Sequence, residues 1–174
     1  MSEKEVTEQA TEKQILVMRA ETLEHIAQVQ SYLHAIAQEL MMRGTVHDRS
    51  KLREPEIGTF ARLTPKLKKL EYGTQEYSEA LKELGPALKH HYENNSHHPE
   101  HYENGIADMT LVDVIEMFCD WMAATKRMKD GGDMRKSVKV NQQRFNMPEM
   151  LTQVFLNTIE FVEDWDEDVE KNSP

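Results

Sequence analysis

Apolar residues return at helical spacing along most of this chain, and that periodicity constrains its fold more than any other feature. Between about residues 12 and 43, Ile15, Met18, Ile26, Val29, Leu33, Ile36 and Leu40 fall on one stripe, as side chains three or four apart do on an α-helix. Gly44 ends the run, since glycine readily adopts the conformation that closes helices. Thr64-Pro65 reads as an N-cap followed by a first-turn proline, opening a short helix that stops near Gly73. Thr74 caps the next, which runs to about residue 93 with a break at Gly85-Pro86. "NNSHHPEHYENG" is a loop by composition. Thr110-Leu111-Val112-Asp113 fits a capping box for a helix that ends before Gly131-Gly132. Asn146-Met147-Pro148-Glu149 opens the last helix. With few β-branched runs and only seven glycines, the expected class is all-α, a bundle of about five to seven helices.

A chain of 174 residues can bury its own core in one domain without a disulfide or structural metal. The expected organisation is a flexible N-terminus over 1–12, a single helical domain over 13–160 and an acidic tail over 161–174. The single cysteine, Cys119, excludes an intrachain disulfide and points to a reducing cytoplasm. No apolar run reaches the roughly eighteen residues that span a bilayer, and "MSEKEVTEQATEK" has no signal-like apolar stretch. The net charge of −10 argues against general nucleic-acid binding. The segment from Glu160 onward carries −6 of it, so the body is only mildly acidic. Within that body Lys126, Arg127, Lys129, Arg135, Lys136 and Lys139 gather, enough positive charge to hold one small anion. A solvated basic face is the plainer reading of the same stretch.

Eight histidines are unevenly spread: His25, His34 and His47, then His90, His91, His97, His98 and His101 within twelve residues. Imidazoles with carboxylates suit Mn, Fe, Co, Ni or Zn better than calcium. His25 and His34 are nine positions apart, about 900° of helical rotation, so they emerge on opposite sides and cannot share a site. His25, at the edge of the apolar stripe, is the better ligand candidate. His47-Asp48, in "VHDRSKL", follows the first helix, and Asp120 shares one helix face with Asp113 and Glu116. His25, His47, Asp48 and Asp120 can converge on a metal, with Asp48 bridging two ions. The competing reading of Asp48 is a helix N-cap. From the clustered histidines, His91 and His98 are taken as ligands ahead of His90 and His97. No glycine-rich phosphate loop or G-x-S-x-G elbow competes.

In order, "HIAQVQSYLHAIAQEL", "VHDRSKL", "KHHYENNSHHPEHY" and "EMFCDWMAA" resemble the HD superfamily of metal-dependent phosphohydrolases over roughly residues 20–130. Together with "NQQRF" and "FLNT", they are also similar to a family of phage and bacterial proteins without an assigned activity. Arg49 and Ser50 stand where superfamily hydrolases usually have a small apolar residue and glycine. The resemblance implies an HD-like helical bundle. His25, His47, Asp48 and Asp120 would bind one divalent transition metal, and His91 and His98 a second. Lys51 would lie near a substrate phosphate, with Arg144 reaching it from the C-terminal side and Arg127 and Arg135 adding anion affinity. Asp48 would serve the chemistry through the metal, and Glu116 would transfer protons or support a ligating histidine.

The expected activity is hydrolysis of a small phosphorylated substrate, a nucleotide or related phosphate monoester. The alternatives are a di-iron oxygenase using a similar His/Asp cage, and a non-catalytic nucleotide- or protein-binding protein with a structural metal. No membrane partner is expected, and a homodimer is left open.

Overall fold

The computed structural model describes residues 10–127 and 132–172, with side chains up to residue 163. Most of the expected flexible N-terminus, Lys129 and the side chains at the end of the acidic tail lie outside the described residues. The described residues are helical, without a strand: α1 (Glu12–Val46), α2 (Ile57–Leu67), α3 (Gln75–Lys82), α4 (Gly85–Asn94), α5 (Leu111–Lys126), α6 (Met134–Arg144) and α7 (Glu149–Asn172). Short 3-10 turns at Arg49–Leu52, Pro99–His101 and Gly105–Asp108 interrupt the connections. The chain is all-α, and no helix among the described residues is long and apolar enough to cross a membrane.

The chain divides into two units, residues 1–42 and 43–174. In the first, α1 buries none of its residues; taken by itself, a lone helix has no second apolar surface to cover its stripe. The second unit holds the core. Val114, Met117, Phe118 and Trp121 of α5 pack with Met134 and Val138 of α6 and with Met147, Phe155 and Ile159 at and along α7. Phe118 and Phe155 meet at 4.9 Å, and Trp121 stacks on Phe145 at 6.2 Å. Burying a side chain such as Met117 contributes about 1.5–3 kcal/mol. This packing fixes the roll of α5, which determines where Asp113, Glu116 and Asp120 point.

Local signals account for most helix ends. Thr74 accepts from the amide of Tyr77, capping α3. Thr110 and Asp113 form the reciprocal capping box of α5. Gly85, at φ +49 with Pro86 behind it, separates α3 from α4; the left-handed backbone there favours glycine. The helix expected to start at Thr64 instead begins at Ile57 and carries Pro65 inside. Pro65 falls in the last turn, so the helix loses one hydrogen bond and ends two residues later. Helix α6 was not expected. Asp133 caps it by accepting the amides of Arg135 and Lys136, but Ser137 and Asn141 occupy buried positions and blur the apolar period.

Candidate metal centre

Asp48 sits between α1 and the turn at Arg49–Leu52 with φ 58, a left-handed backbone, and its side chain makes no capping hydrogen bond. A non-glycine residue held there costs of order 1–3 kcal/mol and persists where its surroundings impose it. The N-cap reading therefore fails: the carboxylate is turned inward, towards imidazoles.

Asp48 Oδ1 lies 3.3 Å from His91 Nε2 and 3.7 Å from His97 Nε2, and the Nε2 atoms of His91 and His98 are 2.9 Å apart. On the other side, His47 Nε2 lies 3.6 Å from Asp48 Oδ2 and 3.5 Å from Asp120 Oδ1. Donors about 2.1 Å from one ion are about 3.0 Å apart at a right angle and about 3.4 Å apart at the tetrahedral angle. These spacings fall around those values. Asp48, His91, His97 and His98 form one group that could hold an ion, and His47, Asp48 and Asp120 form a second. Asp48 belongs to both, offering one oxygen to each.

The buried atoms support the fit. Asp48 Oδ1 and His97 Nε2 are enclosed and have no hydrogen-bond partner, an arrangement that costs about 1–3 kcal/mol per group unless something compensates it. Both are donor atoms of the first group. Mixed imidazole and carboxylate donors suit a first-row divalent ion. Sequence reasoning bet on His91 and His98 over His97; the structure brings all three together.

Carboxylates hold the imidazoles from behind. Glu56, fully buried, lies 3.0 Å from His91 Nδ1 and 2.7 Å from His90 Nδ1, and accepts from Ser50 Oγ at 3.0 Å. Glu116 Oε1 lies 2.9 Å from His47 Nδ1 and 3.3 Å from His97 Nδ1. His47, His97 and Glu116 also form a candidate metal group. It uses the Nδ1 atoms of imidazoles whose Nε2 atoms already face the other groups, so Glu116 acts there as a hydrogen-bond acceptor. Arg43 donates to Glu116, Asp113 and Ser96 and holds this carboxylate in turn. A carboxylate behind a ligating histidine fixes its ring and tautomer. Glu56 was missed in the sequence, because "REPEIG" carries no signal that its second acid folds back onto a histidine 35 positions away.

Without metal, the hydrogen bond to Asp120 raises His47 to about 9, against the opposing effect of burial. His98 is pushed down to about 2 by burial and by the neighbouring His97 and His91. Burial and the charge of His47 also lower His97. Burial alone would raise Asp48, yet the neighbouring His91 imidazole and the charges of Lys51 and His47 hold it well below the usual carboxylate range. His97 and His98 are thus neutral with available lone pairs, the form that binds metal.

Asp48, Lys51, His91, His98 and Asp120 also line a cavity of about 770 Å³, within the size range of ligand sites. Lys51 donates to Asp48 Oδ2 at 2.6 Å and lies 5.2 Å over the Phe60 ring. Arg127 and Arg144 line the same cavity. Arg144 is already engaged, donating to Glu100 at 2.6 Å and to the Tyr72 hydroxyl at 3.2 Å.

The model of a family of unknown function, DUF5662, matches residues 14–165. The chain belongs to the DUF5662 family. No curated protein and no solved structure gives a match to it.

In this DUF5662 chain, three expected placements change. His25 is exposed on α1 in the first unit, whereas every candidate ligand group is drawn from the second. Arg135 does not line the cavity; it is exposed and paired with Glu163 at 3.1 Å. Glu116 does not line it either, which favours its support of His47 over a direct proton-transfer role.

Proposed function

We propose that this chain is a metal-dependent phosphohydrolase acting on a small phosphate monoester, with nucleotides the first candidates, in the manner of the HD superfamily its motifs resemble. The observation that carries the reading is Asp48: one left-handed aspartate offers its two oxygens to two donor groups, beside a cavity that also contains Lys51. Asp48, His91, His97 and His98 would hold one divalent ion, and His47, Asp48 and Asp120 the other. Such an ion supplies a water of lowered pKa and polarises a phosphoryl oxygen.

The chain's own groups do the rest. Glu56 and Glu116 fix the imidazole rings. Lys51, held by Asp48 and Phe60, provides a positive charge where a phosphoryl group would enter, and Arg127 offers a second in the lining of the same cavity. The apolar wall excludes water from the organic part of the substrate and strengthens these charges.

The test is a panel of phosphate monoesters, nucleotides included, incubated with chelated protein reloaded with manganese, cobalt, iron, nickel or zinc, with released phosphate as the readout. Metal-dependent release that Asp48→Asn abolishes supports the proposal. Bound iron with a visible charge-transfer band and oxygen consumption, but no phosphate from any ester, would replace it with the oxygenase reading.

A further inference from the structure

We propose that α1 pairs along its apolar stripe with the α1 of a second copy of this chain, making the protein a homodimer joined through its first helix. The inference stands apart from the metal centre and from hydrolysis.

Ile15, Met18, Ile26, Val29, Leu33 and Ile36 are all exposed on α1, from 36% at Ile15 to 60% at Leu33. At about 100° per residue the six lie within about 80° of the helix circumference. From Ile26 the spacing alternates three and four, through Val29, Leu33 and Ile36 to Leu40. A helix that covers the core of a globular domain carries a stripe about 100° wide or more, whereas a narrower seam at alternating threes and fours suits a single partner helix. Among the described residues α1 is the only helix of its unit, so that unit supplies no partner for it.

Charge and area point to a second copy. Glu12, Glu21, Glu24 and Glu39 against Lys13, Arg19 and Arg43 leave α1 at −1, while the rest of the chain carries −9. Two first helices therefore meet with little repulsion, whereas a strongly charged partner of either sign finds no complementary face here. A lipid surface is disfavoured too, since helices that lie on one carry a polar face rich in Lys and Arg. Each exposed stripe side chain presents on the order of 80 Å² of apolar surface, so the six together offer about 500 Å². A stable interface buries about 800 Å² per partner, somewhat over half of it apolar. The stripe supplies that apolar share along a helix of 35 residues.

The experiment measures the mass of the full-length, chelated protein by sedimentation equilibrium over a series of concentrations. The wild type should reach the mass of two chains. Ile26→Glu combined with Leu33→Glu places unpaired charges in the seam and should weaken association at least about 100-fold. The circular dichroism spectrum of that variant should stay helical, because glutamate is a good helix former. Ser31→Glu, on the face opposite the seam, should leave the dimer intact. Should the double variant not fold, amide hydrogen exchange of the wild type gives a second readout: exchange along α1 should slow as concentration rises, while that of α5 and α6 should not change. A wild type of any other mass, a dimer that the seam charges leave intact or that Ser31→Glu breaks equally, or α1 exchange independent of concentration would overturn the proposal. Because metal and phosphate are absent, failure of the phosphohydrolase reading leaves this result unaffected.

Discussion

Replacing Asp48 by asparagine changes one oxygen to nitrogen and nothing in size. Asparagine tolerates the left-handed backbone at φ 58 as well as aspartate does, and no side-chain cap is lost. The metal-free protein weakens the partly buried pairs with Lys51, at 2.6 Å, and with His47, at 3.6 Å, together worth about 1 kcal/mol. Its thermal midpoint should fall by about 2–4 °C for a chain of this size. The metal-bound protein should lose far more, because both donor groups contain Asp48. Disturbing a group behind a ligand already costs about 10–100-fold in metal affinity, so removing the shared anionic ligand should cost at least about 100-fold, or roughly 2.7 kcal/mol. Under saturating metal for the wild type, that difference takes roughly 5–10 °C from the metal-induced rise in midpoint. Scanning calorimetry of chelated and manganese- or zinc-loaded protein, with circular dichroism to confirm helix content, measures both effects. A folded Asp48→Asn protein whose metal-induced rise equals that of the wild type would refute the assignment.

Glu56→Gln keeps the shape but weakens the acceptor behind His91 and His90, and should lower metal affinity about 10–100-fold by isothermal titration while the helical spectrum persists. Arg135→Glu should leave the Michaelis constant of any phosphate ester unchanged, because Arg135 faces Glu163 and not the cavity; a clear rise would return it to the site. Chelation should lower the thermal midpoint without unfolding the protein, since the apolar cluster of α5, α6 and α7 contains no candidate ligand; loss of the helical spectrum would contradict this. Burial would raise Asp113, but hydrogen bonds from Thr110, Arg43 and Ser96 hold it well below the ordinary carboxylate range. A depressed folded value means this stabilisation is complete above about pH 4, the unfolded carboxyl value, and is lost as pH falls below it. Denaturation midpoints followed down from neutral pH should therefore decline below about pH 4, and Asp113→Asn should flatten that decline.

The helical class, the capping of α3 and α5 and the imidazoles and carboxylates that could hold a metal were legible in the sequence, because each depends on residues a few positions apart. Thr110 and Asp113 lie one turn apart, and the turn around His47-Asp48 and the histidine cluster near 97 are each local runs. What was not legible depends on distant contacts. His97 joins His91 and His98 as a candidate only through the fold of the loop between α4 and α5, which brings His97 and His98 beside Asp48 and the His91 of α4. Glu56 supports His91 only because α2 and α4 bring together residues 35 positions apart. His25 has a helical setting as suggestive as that of Asp120, yet only Asp120 lies on α5, whose roll is fixed by Val114, Met117, Phe118 and Trp121 packing against α6 and α7. The sequence by itself showed most of the helical segments, α6 and the start of α2 excepted, and the kinds of side chain they carry, since propensity, capping and periodicity act over one or two turns. Tertiary structure alone decided which carboxylates face which imidazoles, because that depends on the packing angles of whole helices around a shared core.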